Sequence, residues 1–394
     1  MSKIARVVAA AALAFAGSAP VRADPSAPPA LRLTLAGPAE TVFTPARDAC
    51  DGNDVPDAPL RAFRDANGKA VAYGLHFVNR ALRGDTLDRI RIDCKVVLGS
   101  KHNADPSAYD DYNWITAVWS NDGRNVDALV HHEFHGNEHP GACTFKDYMS
   151  CWYNTILGYR SADGGASFAR AGASSVAAAV PFRQEANQGR HRGFFNPSNI
   201  VGQGGYRYFM ASTTGWEGQK FGLCLFRTQD SSDPTSWMAW TGKDFSRRFG
   251  DPYQAAQAVS RPQPPCQPIP PFQAPVGSVV RHAASGEWIA VYQAWKDEKY
   301  HPLAGFYYAT SRNLTEWSLP RLLIAAATNY DDPCKAPGVL LGYPSLIDPA
   351  SKARNFDETG DSAQLYYASL ETKGCSITSK RDLLRRPVTI SLNK

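Results

Sequence analysis

One unit recurs five times along the chain, and this recurrence constrains the fold more than any single motif. Each unit opens near a proline on a β-branched or apolar run. It turns at Gly, Asn or Asp, returns through an aromatic-rich run, and ends in a third run closed by a polar turn. In the first unit the pattern predicts strands at 60–64 and 70–76 around Asp65-Ala66-Asn67-Gly68, whose Asn-Gly pair favours a hairpin, and a third strand near 90–98. The second unit has strands at 114–119, 128–134 and 152–160, and the third at 198–201, 206–211 and 222–227. The fourth has 278–281, 287–293 and 304–309, and the fifth 344–347, 364–369 and 383–390. Five units of three or four antiparallel strands argue for an all-β chain folded as a five-bladed β-propeller. The 31 glycines and 28 prolines supply the many turns that such a fold needs.

The third strands of the middle units end alike. Ser161-Ala162-Asp163-Gly164-Gly165-Ala166-Ser167-Phe168 fits the pattern of an Asp box, and 228–237 and 311–317 are looser versions of it. In such a turn the Asp caps backbone amides, a glycine takes the left-handed position, and the aromatic packs back between sheets. Its role is structural. The segments 171–195 and 243–276 read as surface loops.

The N-terminus reads as a secretory signal over residues 1–23. Lys3 and Arg6 precede an apolar run at 7–17 that is too short to span a membrane, and cleavage is expected after Ala23. Removing Lys3, Arg6 and Arg22 from the 42 basic residues leaves 39 against 37 acidic ones, so the whole-chain charge of +5 becomes +2. That balance gives no footprint for nucleic acid or a membrane surface. Residues 24–48 are expected to form a linker or leader strand, and 49–394 a single domain, as a monomer. Eight cysteines in an exported chain favour disulfides. Nearest-neighbour pairing is the simplest arrangement, with Cys143–Cys151 the foremost bond.

On this blade pattern and the Asp-box turn, the chain resembles the five-bladed propeller glycosidases of glycoside hydrolase families 43, 62, 32 and 68. The Asp box, with Leu60-Arg61-Ala62-Phe63 as a faint echo of a Phe-Arg-Ile-Pro element, also resembles six-bladed sialidases, which makes a six-bladed propeller the alternative. The resemblance implies a carbohydrate substrate or ligand and no cofactor.

In a propeller, ligands sit where the innermost strands start and the second strands end. Those positions include Asp54, Asp57, Asp110, Asp111, Arg192 and Asn196, then His76, Arg80, His131, Glu133, His135, Trp216, Glu217, Gln293, Trp295 and Asp297. Hydrolysis of a glycosidic bond needs one ionised and one protonated carboxyl group. The resemblance implies an Asp base on the first inner strand, an Asp on the second blade that tunes the acid, and a Glu acid. Asp57 fits the first position, with Asp54 as rival, and Asp111 fits the second. The third blade opens on Phe195-Asn196 where the pattern calls for Glu, so Glu133 takes the acid role, with Glu217 as rival and a raised pKa expected from burial. Arg61, His131, His135, Arg192, Asn196, Trp216, Glu217 and Trp295 complete the expected substrate-binding set.

Two further readings stand beside hydrolysis. One is a carbohydrate-binding propeller without catalysis. The other is a metal-dependent enzyme, because strand alternation puts His131, Glu133 and His135 on one face as a possible three-ligand divalent-metal site.

Overall fold

The computed structural model describes residues 28–254 and 263–393. The expected signal segment and its cleavage point lie outside the described residues. Strand pairing gives four sheets, one of which joins two units through Arg192–Phe195, so that five units follow one another along the chain. The first contains Arg61–Arg64, Ala70–Tyr73, Asn79–Gly84 and Arg91–Leu98. The second is built on Tyr112–Trp119, Val126–His135 and Trp152–Ser161, with short outer strands. The third runs from Val201–Gln203 through Tyr206–Thr213 and Gly222–Thr228 to Met238–Trp240 and Phe245–Arg247. The fourth holds Val276–His282, Trp288–Ala294, Gly305–Ser311 and Arg321–Ala325. The fifth holds Val339–Ile347, Ser362–Lys373 and Ser376–Leu392.

The hydrophobic core shows how the units are arranged. Phe63 and Val71 pack with Ile115 and Val130, joining units one and two. Leu129 and Ile156 pack with Phe194 and Phe209, joining two and three. Met210 and Leu225 meet Trp288 and Tyr292, and Ile289 and Phe306 meet Leu365 and Val388. Tyr366 and Leu383 then meet Leu60 and Leu82, which returns to the first unit. Each sheet is therefore apolar on both faces, and five apolar layers close a ring: the architecture is a β-propeller.

Arg61 pins the centre of this ring. Its guanidinium donates to the carbonyl oxygens of Thr116, Pro197 and Gly277, which belong to three other units. Burial pushes its pKa down to about 9. Gly277 must be glycine, since an added Cβ would lie 2.0 Å from the Pro344 oxygen. Ser345 Oγ donates to Leu60 O, and Leu346 N–H donates to Ser278 Oγ, tying unit five to its two neighbours.

Three expectations change at this level. The run at 90–98 is the fourth strand of the first unit, because the predicted pattern missed the short strand Asn79–Gly84. The segment expected as linker or leader strand supplies Leu31–Leu35 and Glu40–Phe43, both paired antiparallel with Ser376–Leu392. Likewise 171–195 is more than a surface loop. Val176–Ala178 is buried, and Arg192–Phe195 pairs with strands of both unit two and unit three.

All four nearest-neighbour disulfides are present, Cys50–Cys94, Cys143–Cys151, Cys224–Cys266 and Cys334–Cys375, with Cα separations of 5.6, 5.6, 5.8 and 4.3 Å. In the turn after Trp152–Ser161, Asp163 Oδ1 accepts the amides of Ala166 and Ser167, both at 3.0 Å. Gly164 and Gly165 have φ of 71° and 75°, and Phe168 is buried. Asn313 Oδ1 does the same for Thr315 and Glu316, above buried Trp317.

Candidate active site at the mouth of the ring

The loop entering the first inner strand carries Asp57. Its Oδ1 accepts the Tyr343 hydroxyl at 3.0 Å and pairs with Arg381, both from unit five, and its Oδ2 lies 3.4 Å from His76 Nε2. Tyr343 reaches this position because it sits at a register shift between Gly342 and Ser345 with φ of 58°, a left-handed kink that swings the phenol inward. The Tyr343 main-chain amide is held by Gln293 Oε1 at 2.8 Å, which brings in unit four.

Glu133 comes from the second strand of unit two. Alternation along Val126–His135 puts it between His131 and His135 on one face. His135 Nε2 lies 2.9 Å from Glu133 Oε2, and His131 Nε2 lies 3.7 Å from Oε1. His131 is also 3.0 Å from Asn154 Nδ2, and His135 stacks on Trp152 at 3.7 Å between ring centroids. Burial raises the Glu133 pKa, but the His135 hydrogen bond and the charges of His131, His135 and His191 outweigh it and leave the carboxyl below its usual range. This reverses the expected direction: the sequence pattern registered burial but not the imidazoles around it.

His76 lies against Asp57. Burial lowers its pKa and Arg381 adds to that, while Asp57 and, more weakly, Glu133 act in the opposite sense. Phe77 and Trp114 pack on the His76 ring, at 4.3 and 5.7 Å between centroids. Tyr148 is 55% exposed beside Trp152. Asp57 and Glu133 are thus each paired with a histidine among aromatic rings.

Asp111 does not join them. It is fully buried, and its Oδ2 accepts the His135 amide at 2.8 Å. It reaches Glu133 through His135, whose main chain it holds and whose ring holds the glutamate. Asp54 is also buried, bonded to Arg80 and to the amides of Cys50 and Asp51, so it leaves the ligand position to Asp57.

The expected binding residues separate in the same way. Arg61 lies inside the ring, and the three carbonyls it bonds keep its charge away from the mouth. Asn196 stands beside His131 with φ of 40°. The Arg192 guanidinium lies 5.5 Å from the Phe182 ring centroid. Trp216 packs against Phe182, Phe194 and Phe249 as a cover of the core, and Glu217 next to it is exposed. Trp295 is half-buried against Tyr330. His131 and His135 flank Glu133 and bind it instead of converging on a common point. Among the described residues, the one trio of such ligand atoms within 4.8 Å of each other is His102, Asp111 and His139. Sequence reasoning missed Arg381 and Tyr343, since neither carries a local signal that ties it to Asp57.

The fold is a β-propeller that carries the carboxylate–histidine pairs Asp57–His76 and Glu133–His135. No protein-family model matches the chain, and no curated relative matches it. Solved structures that overlap it include the catalytic domain of a Coprinopsis cinerea GH62 α-L-arabinofuranosidase, at 10% identity over 91% of this chain and 98% of that one, TM-score 0.44. A Cellvibrio cellulosa α-L-arabinanase complexed with arabinohexaose overlaps at 11% identity, over 84% and 91%, TM-score 0.46. A family 117 glycoside hydrolase from Zobellia galactanivorans overlaps at 10% identity, over 93% and 92%, TM-score 0.48. No helix among the described residues is long and apolar enough to cross a membrane.

Proposed function

We propose that the axial pocket binds a carbohydrate and hydrolyses a glycosidic bond, with Asp57 as general base and Glu133 as general acid. One observation carries the reading: two carboxylates from neighbouring units are each paired with a histidine, Asp57 with His76 and Glu133 with His135, among the rings of Phe77, Trp114 and Trp152. Aromatic faces suit the apolar faces of sugar rings, and paired carboxylates suit acid–base cleavage. In this reading Asp111 is a positioning residue that fixes the main chain of His135, and Asn196 lines the pocket. Arg381 and Tyr343 hold Asp57 in place.

The test is product release from a panel of plant, microbial and host glycans, with Asp57→Asn as control. Turnover undiminished in that variant rejects the role of Asp57. A second reading, sugar binding without cleavage, is favoured by the lowered pKa of Glu133, which leaves the empty pocket without a protonated carboxyl there. It predicts glycan binding by calorimetry with no product from any member of the panel.

Export belongs to the same proposal. Four disulfides support an oxidising compartment. N-terminal sequencing of the protein from the extracytoplasmic fraction is expected to begin at Asp24, and an intact Met1 there rejects cleavage.

A further inference from the structure

We propose that His102, Asp111 and His139 form a binding site for a first-row divalent metal ion of the zinc class, linked through Glu138 to the His135–Glu133 pair. The loop at 99–111 brings His102, and the turn after Val126–His135 brings His139. His102 Nδ1 is 2.6 Å from Asp111 Oδ1, and His139 Nε2 is 3.1 Å from Asp111 Oδ2. The two imidazole rings lie 4.8 Å apart.

These contacts are close, yet they are not hydrogen bonds. Asp111 Oδ1 and His139 Nε2 are both buried without a hydrogen-bond partner, on residues that are 0% and 7% exposed. A buried carboxylate oxygen and imidazole nitrogen left unpaired cost stability, about 1–3 kcal/mol for each such group. The three ligand atoms lie within 4.8 Å of one another, close enough to share one ion.

The surroundings fit this role. Asp111 Oδ2 accepts the His135 amide, which fixes the carboxylate. Glu138 Oε2 lies 3.9 Å from the other ring nitrogen of His102, the place where a carboxylate orients a ligating histidine. His139 is stacked on Phe134 at 5.0 Å. The His102 side chain is 49% exposed, so the trio opens to solvent on one side and leaves room for water or a ligand as a further donor. Two imidazoles and one carboxylate select zinc, cobalt or nickel over Mg2+ and Ca2+, which take oxygen shells. The site shares only Asp111 with the hydrolytic reading and stands whether or not Asp57 and Glu133 cleave a glycan.

The experiment is calorimetric titration of chelator-stripped, full-length protein with Zn2+, paired with the visible absorption of the Co2+ form. One equivalent of Zn2+ is expected, with a tetrahedral-type Co2+ spectrum. His139→Gln and the exposed-site variant His102→Ala are each expected to weaken Zn2+ at least tenfold, on the order of what a lost supporting contact alone costs a metal site. Far-UV circular dichroism of His102→Ala checks its fold. No stoichiometric uptake, or equal affinity in His102→Ala, overturns the proposal. So does a site lost in His131→Asn but kept in His102→Ala, which would move the ion to the Glu133 face. Preference for Ca2+ or Mg2+ over Zn2+ overturns the assigned chemistry.

Discussion

The Tyr343 phenol donates a 3.0 Å hydrogen bond to Asp57 Oδ1 across a sequence separation of 286 residues. Asp57 precedes the first inner strand and Tyr343 lies in the last, so this bond spans the seam where the ring closes. A hydrogen bond to a charged group contributes about 1.5–3 kcal/mol. Tyr343→Phe is therefore expected to lower unfolding free energy by about 1–2 kcal/mol and to slow turnover of any glycan the pocket cleaves. Equilibrium denaturation in urea measures the first effect, and an unchanged midpoint contradicts it.

Arg61 is expected to be among the most sensitive positions. Arg61→Met leaves the Thr116, Pro197 and Gly277 oxygens without their donor in a dry channel, at a cost of about 3 kcal/mol or more. Arg61→Lys is expected to recover little, because an ammonium group cannot reproduce the planar fork that meets three units. Recovery of wild-type stability in the lysine variant speaks against the pinning role.

Acid is expected to destabilise the protein from near neutrality downward. Burial lowers the pKa values of His76, His131, His132 and His191. Between those folded values and about 6.5 the unfolded chain binds more protons, so stability falls as pH drops below about 6.5. Glu133, also lowered, extends the loss through the carboxylate range, because the unfolded glutamate takes up its proton first. Urea midpoints at pH 7.5 and 5.5 test the first part, and equal midpoints contradict it. His132→Asn, which removes a fully buried imidazole, is expected to flatten the slope.

The Cys143–Cys151 bridge closes the loop that presents Tyr148 to the pocket. Replacing both cysteines with serine is expected to cost about 2–3 kcal/mol on chain-entropy grounds. It is also expected to weaken glycan binding more than it changes the fold. Binding that survives intact while stability drops would detach this loop from ligand recognition.

Much of the ring was legible in the sequence. Every predicted strand lies within or beside an observed one, because turn residues and apolar runs mark each hairpin locally. The missing strand, Asn79–Gly84, reads Asn-Arg-Ala-Leu-Arg-Gly, too polar to stand out, although its first four residues are buried. Of the candidate site, position in the unit was enough to single out Asp57, Glu133 and His76. The site was hidden where contacts cross units: Arg381 and Tyr343 reach Asp57 only once the ring has closed. Asp111 was placed correctly along the chain, but its side-chain direction depends on His102 and His139, which alternation alone does not locate.

Leu31 pairs with Leu392, so an early strand of the chain completes a sheet whose other members come late in it. The ring is fastened like a clasp, and the Asp57–Tyr343 contact lies across the same closure. Releasing residues 31–35 would bare an edge of 376–392 and loosen the unit that holds Asp57.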